Sequence, residues 1–367
     1  MPYGYTGKIL HVDLTTGALE VEQPPESLYR KTMGGSALAM HYLLQLVPPQ
    51  ADPLGPDNVL VISVGVLTGA PIGGLSRVMA NAKSPLTSGI GDSQGGGFWP
   101  AEFRFAGFDA IVIKGQAPQP TYLWIHDGEY ELRDATAAWG RVTVEADQIL
   151  RTEVGDPRAQ VLQIGPAGEQ LSRIACIVNM ANRACGRTGM GAVMGSKNLK
   201  AVVVRGRQRP AVADADKLKE MARWGRENLE DSGAWGLRLN GTAGGIDALQ
   251  REGALPTHNW TSGVFEDWDK IWGQTMTDTI LKENDTCYAC QVRCKRVVET
   301  HDAWAVDPLY GGPEYETLAA MGSYCGVGDL AAIAKANELC NKYGLDTISC
   351  GATVAFAMDC YEQGILT

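Results

Sequence analysis

The sequence lacks the features that would assign it to a membrane, secreted or nucleic-acid-binding class. No apolar run reaches the length needed to cross a bilayer, and no charged segment followed by an apolar one opens the chain as an export signal would. The formal net charge is −10 and no basic stripe is present, which argues against contact with nucleic-acid phosphates. We therefore expect a soluble, cytoplasmic protein that binds neither membranes nor nucleic acids.

Internal repeats and low-complexity tracts are also missing, so the pattern of strands and helices must indicate the fold. Short apolar runs predict strands in the first part of the chain, and Thr15-Thr16-Gly17 and Asp127-Gly128 predict hairpins. Helical spacing dominates after residue 210, with helices predicted at 214–231, 329–343 and 347–363. The sequence thus predicts an α+β fold, with a β-rich domain of antiparallel layers at 1–210 and a mainly helical domain at 211–367. The 347–363 helix is apolar nearly all round, which predicts that it is buried.

Cysteine usage indicates a metal site. The nine cysteines are odd in number and no export signal accompanies them, so a disulfide framework is disfavoured. Cys287, Cys290 and Cys294 are spaced i, i+3, i+7, which predicts three thiols on one face of a helical turn. Zinc and iron–sulfur clusters both use such thiolates, and either normally needs a fourth ligand that is not evident nearby.

Three basic residues flank these thiols: Arg293, Lys295 and Arg296. Positive charge beside the thiolates would stabilise a reduced, more negative cluster. The alternative is that all three are solvated surface charges.

Three glycine-rich segments interrupt the β-rich part, at 67–77, 89–99 and 182–197. Glycine lets backbone N–H groups approach anionic oxygens closely, and arginines in these segments add phosphate contacts. Each segment alone is more typical of a turn between strands, because isolated glycine motifs are common. The Walker Gly-Lys-Ser/Thr sequence is absent and the third segment lacks the glycine spacing of dinucleotide-binding folds. Together the three segments favour a large phosphorylated cofactor.

Six short segments, in this order, resemble the tungsten-containing aldehyde:ferredoxin oxidoreductases: 5–10, 82–87, 105–110, 191–201, 312–317 and 344–349. The resemblance implies a base of two β-sheets carrying two pyranopterin-dithiolene cofactors that hold tungsten, with a magnesium ion bridging their phosphates. It also implies that Cys287, Cys290 and Cys294 bind a [4Fe–4S] cluster. The fourth ligand is expected beyond residue 367, so that the chain corresponds to about the first two-thirds of a family member, unless Cys325 or Cys350 substitutes.

The resemblance assigns cofactor roles to particular residues. Arg77 and Arg183 match positions at the pterin phosphates, and the backbone of Gln94 and Ala184 matches positions near magnesium. Gln94 replaces the family's usual asparagine, and Asn341 replaces the first aspartate of a second pterin-binding motif. The remaining cofactor-binding residues expected by the resemblance are Ser93, Gly95, Gly96, Cys185, Gly186, Arg187, Gly344, Leu345 and Asp346.

The activity that the resemblance implies is oxidation of an aldehyde to a carboxylate, with electrons passed through the cluster to ferredoxin. Glu314 and Glu316 lie in a region where the family has a glutamate at the tungsten pocket, and we expect Glu314 to be the functional one. Their alternative role is to compensate the charge of a helix N-terminus after Pro313. Three other hypotheses remain: a non-catalytic electron-transfer or scaffold subunit, a family member that reduces aromatic thioesters, and a zinc-stabilised domain with a nucleotide. A homo- or hetero-oligomer is expected.

Overall fold

The computed structural model describes residues 3–301 and 303–367, which divide into two compact units. The first unit contains the described residues up to Trp224, together with Cys287–Cys290 and Tyr343–Leu345. The second contains Gly225–Thr286, Gln291–Lys342 and Asp346–Thr367.

Two six-stranded sheets form the first unit. The first sheet consists of β1 (Ile9–Asp13), β2 (Ala18–Glu22), β3 (Leu60–Val64), β4 (Val78–Lys83), β5 (Ile90–Gly95) and β6 (Ala110–Lys114). Its order is β2-β1-β6-β3-β4-β5, and only the β1–β6 pair is parallel. The strand β5 therefore lies at one edge.

The second sheet consists of β7 (Thr121–His126), β8 (Glu129–Asp134), β9 (Gln160–Ile164), β10 (Ile177–Asn179), β11 (Arg183–Cys185) and β12 (Leu199–Arg205). Its order is β11-β10-β9-β12-β7-β8, with β12 parallel to β7 and the other pairs antiparallel. One hydrophobic core contains residues from both sheets, including Ile62 and Val202. The predicted hairpins at residues 15–17 and 127–128 are confirmed by the β1–β2 and β7–β8 pairings.

Six helices accompany these sheets: α1 (Glu26–Thr32), α2 (Gly35–Leu46), α3 (Trp99–Phe105), α4 (Thr143–Val154), α5 (Pro166–Glu169) and α6 (Met190–Ser196). A seventh, α7 (Ala215–Glu227), follows β12.

Asp109 ties the N-terminal segment to this unit. Its buried carboxylate accepts hydrogen bonds from the backbone N–H groups of Thr6 (2.9 Å) and Gly7 (2.7 Å) and from the Tyr29 hydroxyl (2.7 Å). It also forms an ion pair with the guanidinium of Arg104, which is completely buried. Four donors from three separate segments thus meet at one carboxylate.

The second unit is mainly helical. Its helices are α8 (Ala234–Asn240), α9 (Ile246–Glu252), α10 (Gly273–Thr279), α11 (Tyr315–Met321), α12 (Leu330–Tyr343) and α13 (Thr347–Glu362), and its one described hairpin joins β13 (Leu281–Asp285) to β14 (Lys295–Val298). The predicted α+β class, with a two-sheet β-rich part followed by a mainly helical part, is confirmed.

The prediction that the last helix is buried is wrong. In α13 only Gly351 and Ala355 are buried, whereas Phe356 and Tyr361 are 62% and 68% exposed. The helix approaches α11 through its small residues, because a Cβ at Gly351 would lie 2.5 Å from the Ala320 carbonyl oxygen. Apolar composition alone could not indicate which face would be covered. No helix among the described residues has the length and apolarity to cross a bilayer.

Candidate functional site

The predicted phosphate-binding residues lie where the edge strands β5 and β11 contact each other. Arg77 directly precedes β4, whose first residue, Val78, pairs with Gly95 at the end of β5. A Cβ added at Gly95 would lie 3.2 Å from the Cys185 sulfur, on β11. The structure therefore brings Arg77, the segment 93–96 and β11 together.

Side chains on β5 alternate between buried and exposed, as expected for a strand with one covered face. Gly91, Ser93 and Gly95 are buried, and the Gln94 side chain is exposed. The buried Ser93 hydroxyl has no hydrogen-bond partner among the described residues. Exposure of the Gln94 side chain is compatible with the expectation that this position acts through its backbone.

The charges around β11 differ in exposure. Arg183 is buried and donates from Nη1 to the Asn182 side-chain oxygen at 2.5 Å, whereas Arg77 and Arg187 are exposed. Burial raises the pKa of the Cys185 thiol to about 12, and the positive charge of Arg77 opposes this shift. Cys185 is therefore a neutral thiol at physiological pH.

The turn between β10 and β11 is strained. Met180 (φ 53°) and Ala181 (φ 54°) both adopt the left-handed conformation that hairpins usually assign to glycine or asparagine. The Asn182 N–H donates to the Asn179 carbonyl at 3.3 Å and closes the turn. Glycine is missing here, so sequence reasoning had no turn signal and overlooked Asn179.

Asn179 is completely buried and connects this turn to the glycine segment that follows β5. Its Nδ2 group donates to the carbonyl oxygens of Gly96 (2.9 Å) and Arg183 (3.3 Å). Its Oδ1 atom has no hydrogen-bond partner in the described part of the chain. A Cβ at Gly97 would lie 2.1 Å from that atom, so this position requires glycine.

The three predicted cluster ligands lie on the loop between β13 and β14, so their placement on a helical turn is wrong. The Cys290 N–H donates to the Cys287 carbonyl at 3.1 Å, and Ala289 has a φ of 56°. Positive φ at non-glycine residues ends helical geometry, which the cysteine spacing alone could not reveal.

Cys287 to Cys290 belong to the first unit, and Cys294 to the second. The Cys287 sulfur accepts a hydrogen bond from the Gly97 N–H at 3.1 Å, and the Tyr288 N–H donates to the Gly97 carbonyl at 3.2 Å. Within residues 3–301 and 303–367, no group of three or more Cys, His, Asp or Glu side chains is arranged so that it could hold a single metal ion.

Two of the three basic residues beside the cysteines are buried, so a solvated surface role is wrong for Lys295 and Arg296. Arg293 is exposed, and its guanidinium donates to the Asn284 carbonyl. Burial lowers the pKa of Arg296, while the nearby Cys294 and Glu314 act in the opposite direction.

The Arg296 guanidinium holds the cysteine loop through four carbonyl oxygens. It donates to Cys294 (3.2 Å) and Arg293 (2.8 Å) in the loop, and to Leu239 (2.8 Å) and Arg238 (3.1 Å) at the end of α8. Arginine suits this role because its planar fork presents five donors in fixed directions.

Glu314 lies immediately before α11 and both of its carboxylate oxygens have partners. Lys295 Nζ lies 3.1 Å from Oε1, and the Thr242 hydroxyl donates to Oε2 at 2.5 Å. The Thr242 oxygen in turn accepts from the Tyr315 N–H at 2.9 Å. Glu316, by contrast, is exposed in the first turn of α11, where its charge favours the helix N-terminus.

The predicted second pterin segment spans both units. In the first unit, Gly344 has a φ of 76°, its carbonyl accepts from the Cys176 N–H at 2.9 Å, and Leu345 forms a β-bridge with Ala175. In the second, Asn341 donates to the Tyr310 carbonyl at 2.9 Å.

Asp346 caps the N-terminus of α13. Its carboxylate accepts from the N–H groups of Ile348 and Ser349 at 3.2 and 3.1 Å, which satisfies two of the helix's free donors. The structure therefore gives Asp346 a local role beside the cofactor role that the resemblance implies.

Cys325 and Cys350, the possible substitute ligands, lie in the second unit with Cys340. Burial raises the pKa of Cys325 to about 11, and its thiol lies 3.3 Å from the Ala320 carbonyl. A hydrogen bond from Cys340 lowers the pKa of Cys350 below the ordinary value of a thiol. The pKa of Cys350 is thus lower than that of Cys325.

Comparison with known proteins identifies two family models along the chain. "Aldehyde ferredoxin oxidoreductase, N-terminal domain" matches residues 9–206, and "Aldehyde ferredoxin oxidoreductase, domains 2 & 3" matches residues 220–367.

Curated relatives and a solved structure extend this match. The tungsten-containing aldehyde ferredoxin oxidoreductase of Pyrococcus abyssi is 43% identical over 99% of this chain and 60% of its own length. The aliphatic sulfonate oxidoreductase WOR-like subunit of Pyrococcus furiosus is 32% identical, over 100% of this chain and 61% of its own length. The active site complex BamBC of benzoyl coenzyme A reductase superposes with a TM-score of 0.84 at 29% identity, covering 100% of this chain and 57% of that chain. The chain thus spans about 60% of the length of the curated relatives it matches.

Proposed function

The chain belongs to the aldehyde ferredoxin oxidoreductase family, and from this membership we propose that the protein is a tungsten-dependent enzyme that oxidises aldehydes to carboxylates. A [4Fe–4S] cluster held by Cys287, Cys290 and Cys294 would supply electron transfer to ferredoxin or a ferredoxin-like subunit. We place the reaction in the cytoplasm and expect a homo- or hetero-oligomer. The single observation that carries the proposal is the meeting of Arg77, the 93–96 segment and β11 at two sheet edges.

The residues at this edge fit a phosphorylated cofactor. The buried Ser93 hydroxyl lacks a partner among the described residues, and the absence of a side chain at Gly95 lets β5 and β11 approach each other closely. Arg77 and Arg183 would hold the two pterin phosphates through charge-assisted hydrogen bonds. The backbone of Gln94 and Ala184 would hold magnesium. When bound, the tungsten–dithiolene group supplies a two-electron acceptor and a Lewis acid toward the carbonyl oxygen.

The reaction consumes one water molecule and releases two electrons, with the formyl hydrogen and the water protons leaving as H⁺. Glu314 is the carboxylate we propose to orient the substrate or accept a proton, because its position is fixed from two sides by Lys295 and Thr242. Cys287, Cys290 and Cys294 would hold the cluster, and Arg296 positions the backbone on either side of Cys294.

Metal analysis combined with an activity assay tests this function. Full-length protein purified without oxygen should contain tungsten and about four irons per chain, and should reduce viologen with an aldehyde. Arg183→Met should lower the tungsten content, whereas Arg30→Met, at an exposed arginine of α1, should not. Iron without tungsten or molybdenum would instead favour a non-catalytic electron-transfer or scaffold subunit.

A second candidate function is reduction of aromatic thioesters. It is supported by the likeness to the benzoyl coenzyme A reductase complex over the whole chain. If this function is correct, the protein should reduce an aromatic acyl-CoA when it is supplied with a low-potential electron donor. It should give no product when it is assayed with an aldehyde and viologen. Activity with aldehydes alone would exclude this candidate.

A further inference from the structure

The Gly96–Gly97 peptide is hydrogen-bonded on one side to the buried Asn179 and on the other to Cys287, a proposed cluster ligand. Its N–H group, on Gly97, donates to the Cys287 sulfur at 3.1 Å. Its carbonyl oxygen, on Gly96, accepts from Asn179 Nδ2 at 2.9 Å. The side-chain amide, the peptide and the sulfur therefore form one continuous chain of hydrogen bonds, in which each bond polarises the next.

The local packing holds this peptide in one orientation. Gly97 has a φ of 107°, and its carbonyl accepts from both the Ser76 hydroxyl (2.7 Å) and the Tyr288 N–H (3.2 Å). A Cβ at Gly96 would lie 2.7 Å from the Cys287 sulfur. Glycine at position 96 therefore lets the sulfur approach the peptide, and glycine at position 97 leaves room for the Asn179 side chain.

Asn179 also contacts the strand that carries Arg183. Its Nδ2 group donates to the Arg183 carbonyl at 3.3 Å, so one buried amide contacts the backbone of a proposed phosphate-binding residue and the peptide facing a proposed cluster ligand. A mobile amide could not serve both bonds. Because Asn179 is completely buried, the residues packed around it fix the orientation of its amide.

We propose that Asn179 is a positioning residue that sets the reduction potential of the iron–sulfur cluster by orienting and polarising the Gly96–Gly97 peptide toward Cys287. The inference rests on the proposed function. An N–H dipole aimed at a ligand sulfur stabilises the more negative, reduced cluster and raises its potential. Removing the Asn179 amide weakens that dipole and lowers the potential.

The test compares Asn179→Ala with Asn58→Ala in full-length protein. Asn58 is a matched control because it is also completely buried in the first unit and its Nδ2 group donates to two carbonyls, at 2.6 and 3.0 Å. Iron content, the EPR spectrum of the reduced cluster and its midpoint potential are measured in each. In Asn179→Ala the ratio of reduced to oxidised cluster at fixed potential should fall by up to about tenfold, equivalent to about 59 mV for one electron. Asn58→Ala should keep the wild-type potential.

The outcomes separate the inference from the function on which it rests. Wild-type protein without a cluster would refute the proposed function. A loaded Asn179→Ala protein with the wild-type potential, or with a shift equal to that of Asn58→Ala, would overturn the inference alone. If Asn179→Ala fails to load iron, Asn179→Asp is measured in its place, because it keeps the size and removes the amide donor. If neither loads, hydrogen exchange at the Gly97 amide decides, and wild-type protection in both variants overturns the inference.

Discussion

Adding one methyl group at Gly96 tests where the Cys287 sulfur must lie. The Cβ of an alanine would stand 2.7 Å from that sulfur, whereas ordinary contact begins at 3.4 Å. The sulfur must therefore move by about 0.7 Å, the difference between these two distances. Metal–ligand distances tolerate deviations of only about 0.2 Å, so we expect Gly96→Ala to lose iron.

The stability cost of this substitution should be modest. Overpacking by one methyl group costs typically about 1–3 kcal/mol, and the backbone at Gly96 does not require a left-handed conformation. Loss of iron should consequently exceed what the change in unfolding free energy explains. Iron per chain, the EPR spectrum and denaturant unfolding of the full-length protein measure the two effects separately.

Gly89→Ala is the matched control. Gly89 directly precedes β5, and a Cβ there would meet its nearest atom, the Thr87 hydroxyl oxygen, at 3.6 Å, an ordinary contact. This variant should keep both its iron and its stability. If Gly96→Ala retains the wild-type iron content and EPR spectrum, Cys287 does not bind a cluster in the position described.

Glu314→Gln should lower kcat for aldehyde oxidation at least tenfold and Glu316→Gln should leave it nearly unchanged, as measured by viologen reduction; equal effects would contradict the choice of Glu314. Arg296→Met should destabilise the protein by about 3 kcal/mol in denaturant unfolding, because four carbonyls lose a charged donor, while Arg293→Met, at an exposed site, should cost little. Alkylation of Cys350 should accelerate at a lower pH than alkylation of an ordinary thiol, because only the thiolate reacts and the pKa of Cys350 is lowered. Peptide mass spectrometry across a pH series measures this rate, and a profile like that of a free thiol would refute the role of its thiol neighbour.

The sequence predicted the features whose signals are local. Alternating apolar strands and the Asp127-Gly128 turn were read correctly, because hairpin pairing follows from turn chemistry and side-chain period. Thiol spacing identified the cysteine segment but assigned it the wrong backbone. A spacing of three and seven residues fits a helix and a loop equally. The positive φ of Ala289 and Arg293 could not be predicted, because neither residue is a glycine.

The sequence pattern could not predict contacts between residues that are far apart in the chain. Arg296 read as a possible surface charge, although it is buried among carbonyls that come from two distant segments. Asn179 carried no signal, since its importance depends on the meeting of β5 with β11. For α13 the error is the opposite one, since burial was predicted for a helix whose large apolar side chains are exposed. Hydrophobicity indicates which residues can be buried, and does not indicate which other residues cover them.

The carboxylate of Asp109 has a consequence for how this protein can diverge over evolutionary time. Losing the acid would leave the Arg104 guanidinium buried without a counter-charge, at a cost of about 3–5 kcal/mol. Losing the arginine would instead leave the Asp109 carboxylate buried without a counter-charge. Neither position can therefore drift by itself, and across homologues we expect residues 104 and 109 to be exchanged together or retained together.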